Sequence, residues 1–150
     1  MKKYLLLIFV FLVVGAIFAF NNLTKQNSKE PWSEKQLLNP ADLAKILQDP
    51  NGSKPILLSI GFGGGIIGSI ELGPASEKTG MENFKKELAK YKKDANIVIY
   101  CGCCPFEHCP NVRPAFQLLN DMGFVNHKLL NLSTNLKTDW INKGYPINKQ

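Results

Sequence analysis

Arginine is almost absent from this 150-residue chain: Arg113 is the only one, and every other basic side chain apart from two histidines is a lysine. Those histidines are His108 and His127, and cysteine is missing everywhere outside residues 101–109. There is no internal repeat, no long low-complexity tract and, beyond residue 20, no long hydrophobic run. These gaps exclude several functions. The formal charge of +6 comes from lysines scattered among acids, as between Glu82 and Lys93, which is the pattern of a solvated helix face. Without interleaved aromatic and basic residues there is no base-stacking platform, so nucleic acid is not an expected partner. Nor do the cysteines look like structural staples, which gain most by joining distant segments because a short loop constrains the unfolded chain least.

The one long apolar run lies at the start. Lys2 and Lys3 precede residues 4–20, which carry no charge and no strongly polar side chain. That length falls between a signal-peptide core and a spanning helix. With the lysines on the N-terminal side, the remainder of the chain is expected to be exported. Residues 1–20 are therefore read as a signal peptide or membrane anchor, residues 21–36 as a polar linker in which Trp32 docks onto the domain, and residues 37–150 as one compact domain. Membrane contact is expected only through the N-terminal segment, and the compartment is extracytoplasmic, periplasmic or secreted.

Within the domain, helical and strand patterns alternate. Asn39-Pro40 marks a capped helix start, with Leu43, Ile46 and Leu47 on its apolar face. Residues 55–60 read as a buried strand, followed by the glycine cluster 61–68 and a short strand at 69–72. A helix is expected over 81–92 with Phe84, Leu88 and Tyr91 inward, and residues 96–100 form the clearest buried strand. Residues 114–122 give another helix closed by Gly123, residues 128–132 a strand, and 138–142 a last helix. The pattern predicts an α/β fold with a mainly parallel central sheet flanked by helices on both faces. Reactive groups in such sheets sit beyond the carboxyl ends of strands, where the loop after Tyr100 lies.

That loop reads Cys-Gly-Cys-Cys-Pro-Phe-Glu-His-Cys-Pro-Asn-Val-Arg from Cys101 to Arg113. A cysteine between a strand end and a helix start meets backbone N–H groups and the positive end of a helix dipole, which favour the nucleophilic thiolate. Arg113 offers a planar donor to an anionic substrate or to the thiolate, or it pairs with Asp121 or Glu107. His108 is a solvated residue or a base for a neighbouring cysteine. His127 shows no partner signal and is expected at the surface, whereas Trp140 and Tyr145 are expected to pack the C-terminal part of the core.

Four stretches in order resemble the rhodanese-like family. They are Ile67-Gly-Ser-Ile-Glu-Leu72, Ile97-Val-Ile-Tyr-Cys101, the helix from Ala115 with its Gly123-Phe124 ending, and Asp139-Trp-Ile-Asn-Lys-Gly-Tyr-Pro146. The resemblance spans about residues 37–148. It implies a single rhodanese-like domain and a sulfurtransferase activity without a cofactor. Cys101 would take a sulfane sulfur from a small donor such as thiosulfate, hold it as a persulfide and pass it to a thiol, possibly on a protein, or to another nucleophile. Arg113, Cys103, Cys104, Cys109 and His108 would be accessory or substrate-binding residues. The sequence departs from the family in a loop of about ten residues rather than five, in three extra cysteines, and in Gly61-Phe-Gly-Gly-Gly65 where acidic and arginine residues often stand.

Other chemistries use the same residues. Cys101-Gly-Cys-Cys104 is a C-x-x-C, so an exported thiol-disulfide redox protein is the first alternative. A thiolate metal-binding module on a catalytically silent rhodanese-like fold is another, although no metal ligand is assigned, because adjacent Cys103 and Cys104 are expected to hinder tetrahedral closure. A cysteine phosphatase would need Cys-x5-Arg, and the residue six before Arg113 is Glu107. Gly63 to Gly68 spells G-x-G-x-x-G with no helix opening after it, which removes dinucleotide binding.

Overall fold

The computed structural model describes residues 30–62 and 65–148, so the apolar segment 1–20 and most of the stretch 21–36 fall outside it. Among the described residues no helix is long and apolar enough to cross a membrane. Five strands form one sheet: β1 (Leu37–Leu38), β2 (Ile56–Ser59), β3 (Ile70–Glu71), β4 (Ile97–Tyr100) and β5 (His127–Leu130). Their order is β1-β5-β4-β2-β3, and every pairing is parallel. Four α-helices accompany them: α1 (Pro40–Gln48), α2 (Lys78–Leu88), α3 (Val112–Asp121) and α4 (Leu136–Asp139).

Alternation along the strands divides the core into two layers. Leu58, Ile60, Ile97, Ile99 and Leu129 pack with Phe84 and Leu88 of α2 and with Ala115, Phe116 and Leu119 of α3. Leu57, Val98, Tyr100 and Leu130 face the other way, onto Leu43 and Leu47 of α1 and onto Leu136 and Trp140. A parallel sheet covered on both faces needs strands that are apolar throughout, and all four residues of β4 are buried. Asn39 caps α1 through its side-chain oxygen, which accepts from the Ala41 N–H at 2.9 Å.

Residues 30–36 pack on this domain. Trp32 is buried with Phe106 and Phe116, its ring 5.9 and 5.7 Å from theirs. Arg113 on α3 donates to Glu30 at 2.6 Å, and the Asn120 amide donates to the Pro31 carbonyl at 2.9 Å. His127, expected at the surface, is instead buried, its ring tilted against Phe116 with centroids 4.6 Å apart and lying 3.4 Å from the Gln36 amide. A β5 residue on the α3 side has nowhere else to point, and burial lowers its pKa.

Candidate functional site

The parity of β4 decides where the cysteine loop begins. Ile97 and Ile99 face α2 and α3, so Cys101, two residues further, continues onto that face. It leaves the central strand of the sheet and is only 3% exposed. The loop then runs over Cys103, Cys104 and the 3-10 turn Phe106–His108 to α3. It is tied down from the C-terminal half of the domain: the Leu136 N–H donates to the Gly102 carbonyl, and the Phe106 N–H to the Leu132 carbonyl, both at 3.0 Å.

The chain brings its four thiols together, with every pair of sulfurs within 4.8 Å. The Cys101 and Cys103 sulfurs are 3.4 Å apart and those of Cys103 and Cys104 3.2 Å apart. All four are free thiols. Cys101 and Cys109 are buried, Cys104 is half-buried and Cys103 is exposed, so the cluster opens to solvent on the Cys103 side. Adjacent Cys103 and Cys104, expected to hinder tetrahedral closure, turn their sulfurs toward one another at 3.2 Å.

Hydrogen bonds concentrate negative charge on one sulfur. The Cys109 thiol donates to Cys101, and so do the Cys103 N–H, the Asn111 amide and the Cys103 thiol, which together overcome burial and lower the Cys101 pKa to about 5. Desolvation and hydrogen bonds to Cys104 and Cys101 push Cys103 up to about 12, and donation to Cys101 followed by burial raises Cys109 as well. A Cys101 thiolate held by the protonated thiols of Cys103 and Cys109 is the resulting arrangement at neutral pH. The N–H of Asn111, next to the start of α3, serves Cys109 rather than Cys101.

Two residues shape this site that sequence reasoning did not single out. Asn111 is buried; its oxygen accepts from the Ser76 N–H at 2.9 Å, and its nitrogen lies 3.5 Å from the Cys101 sulfur. It thereby ties the loop after β3 to Cys101, and a polar residue at a helix start within a cysteine loop was the available signal. Gly61, just past β2, is the second: a Cβ there would stand 2.3 Å from the Cys101 sulfur. The glycine is an absence cut to the shape of the thiol.

The remaining sequence candidates lie elsewhere. Arg113 forms an ion pair with Glu30, not with Asp121 or Glu107, and its guanidinium sits 5.7 Å from the Trp32 ring centre. With His108, Glu107 and Trp32 it lines an open cleft of about 1020 Å³ that none of the four cysteines lines. His108 is exposed.

No protein-family model matches the chain, and no curated protein matches it in sequence. Solved structures do match. A rhodanese-like domain from an Anabaena protein superposes with a TM-score of 0.55 at 17% identity, covering 77% of this chain and 80% of that domain. Wild-type EanB matches with a TM-score of 0.54 at 16% identity, and an EanB variant in complex with hercynine at 0.55 and 18%. These cover 81% of this chain, which spans only 29% of EanB. With a five-stranded parallel sheet, helices on both faces and a cysteine loop leaving the central strand, this chain has the rhodanese-like fold.

Proposed function

We propose that the protein is a rhodanese-like sulfurtransferase with Cys101 as its nucleophile. The observation that carries the reading is positional: Cys101 is the first residue past the central strand, fixed there by Asn111 and by the close approach of Gly61. The Cys101 thiolate attacks the outer sulfur of a donor such as thiosulfate. The sulfur–sulfur bond of the donor breaks, sulfite leaves with the electron pair, and Cys101 holds the sulfur as a persulfide. An acceptor thiolate then attacks that outer sulfur, forms its own persulfide and returns Cys101 as thiolate. The donors that hold the resting thiolate are placed to hold the anionic persulfide formed next to them. The reaction runs outside the cytoplasm if residues 1–20 act as an export signal or anchor.

Peptide mass spectrometry of the reduced, metal-free full chain after exposure to thiosulfate tests this. One added sulfur on Cys101, removed by cyanide and lost in Cys101→Ser, is the expected result. Disulfides alone, or no added sulfur, would overturn it. A second reading is favoured by the 3.4 Å separation of Cys101 and Cys103: dithiol–disulfide exchange, in which both thiols are oxidised as a substrate disulfide is reduced. Reduction of an insulin disulfide by the reduced protein, lost in Cys103→Ser, would favour that reading.

A further inference from the structure

We propose that the four thiols form a mononuclear zinc-type site, S4 in composition, in which the candidate nucleophile Cys101 is itself a ligand. The inference rests on convergence and stands whether or not Cys101 carries sulfur. A tetrahedral zinc tetrathiolate has Zn–S bonds of about 2.3 Å, which sets its sulfurs roughly 3.8 Å apart. Here the sulfurs span from 3.2 Å (Cys103–Cys104) to no more than 4.8 Å. Shifts well under 1 Å would regularise them around one ion. The same compactness disfavours an iron–sulfur cluster, whose cysteines must surround a multi-atom core rather than a single cation.

The ligand set also decides the class of ion. Four sulfurs with no carboxylate or imidazole among them select a thiophilic cation that accepts tetrahedral geometry, and reject magnesium and calcium, which take oxygen ligands. Cys101 and Cys109 are anchored in the buried layer at either end of the loop, while Cys103 and Cys104 close over them from the solvent side. An ion therefore enters past Cys103. Because all four ligands come from one loop, the ion joins no distant parts of the fold, and its removal leaves both core layers in place. Its consequence is chemical: a bound cation withdraws charge from the Cys101 sulfur and shields it from attack on a donor. Metal occupancy and sulfur loading then compete for Cys101, so the loop insertion acts as a reversible cap on the candidate nucleophile.

The test is an anaerobic titration of the reduced full chain, in mild detergent, with Zn(II) in competition with a chelating indicator. X-ray absorption of the complex reads the ligand shell, and iodoacetamide labelling reads Cys101. The expected result is one zinc per chain in a sulfur-only shell, with Cys101 labelling slowed at least tenfold by the metal. Cys104→Ser, a conservative change at a half-buried position, should weaken zinc at least tenfold while the circular dichroism of the metal-free protein stays that of the wild type. Cys103→Ser, at an exposed position, should weaken zinc likewise. Substoichiometric zinc, a shell with nitrogen or oxygen ligands from the protein, or zinc that leaves Cys101 labelling unchanged would overturn the proposal. Sulfur loading is measured separately on metal-free protein, so failure of one reading leaves the other standing.

Discussion

At Cys101 a buried sulfur, which burial alone would keep protonated, is held as a thiolate by donors from three places in the chain: Cys109, the Cys103 N–H and Asn111. Reactivity should report this. In the metal-free reduced protein, iodoacetamide labelling of Cys101 is expected to titrate with a midpoint near pH 5 and to stay flat from pH 6.5 to 8, whereas an ordinary cysteine titrates near 8.5. A midpoint above 7.5 would refute the hydrogen-bond account. Asn111→Ala removes one donor and leaves the Ser76 N–H unpaired, so the midpoint should rise and stability should fall by about 1–3 kcal/mol. Gly61→Ala acts by volume instead. The new methyl would overlap the Cys101 sulfur, which must move, and a reacting group misplaced by ~1 Å can cost up to ~10²-fold in rate. Sulfur loading that survives Gly61→Ala unchanged would show that the thiol position is not what the site requires. The position of Cys101 at a strand end was legible in the sequence, because its strand, its loop and its clustering were all local signals. Asn111 and Gly61 were not, since their roles depend on β3 and β2 loops meeting β4 in space.

Among the elements, α2 and α3 show where local pattern and tertiary contact part. The apolar spacing pointed to a helix over 81–92; the structure has Lys78–Leu88, shifted toward the N-terminus. Its first turn carries no apolar signal because Gly80 lies against the chain at Pro74, where a Cβ would stand 2.1 Å from the carbonyl oxygen. Tyr91 lies beyond the helix and donates to Glu87 at 2.6 Å. Gly80→Ala sets two effects against each other. Helix propensity gains about 1 kcal/mol, while overpacking a rigid backbone contact costs about 1–3 kcal/mol. A net loss is expected, read as a lower urea midpoint with unchanged slope. The two-residue strand β1 escaped the sequence reading altogether, being too short for any periodicity. On α3, Arg113 holds the segment at Glu30 and Trp32 through a half-buried ion pair and a cation–π contact, together about 1–2 kcal/mol. Arg113→Ala should lower stability by that amount and leave sulfur loading within twofold. A collapse of loading instead would restore the role as an anion donor that the sequence suggested.

For the whole molecule, the α/β class, the parallel sheet and its double covering were readable because β4 is continuously apolar, β2 is mostly so and the helices between strands are amphipathic. What only the assembled fold reveals is how its titrations add. Cys101 and His127 both have depressed pKa values in the folded state, the first through hydrogen bonds and the second through burial. A depressed pKa means that the unfolded chain binds the proton first, so each group's contribution is present above its unfolded value and is lost as pH falls. Cys103 and Cys109 are raised, which acts in the opposite sense and only above the ordinary thiol range. Stability of the metal-free reduced protein should therefore climb between about pH 5 and 8.5 and turn down above pH 9. Within the climb the limiting slope is ~1.4 kcal/mol per pH unit for each proton released. Cys101→Ala removes the thiolate and should flatten the climb toward pH 8.5, while leaving the acid-side loss due to His127. Urea unfolding at several pH values measures both slopes. A wild-type curve that is flat from pH 7 to 8.5 would mean that no thiolate is held in the fold, and the reactive sulfur would have to be sought in another ionisation state of the cluster.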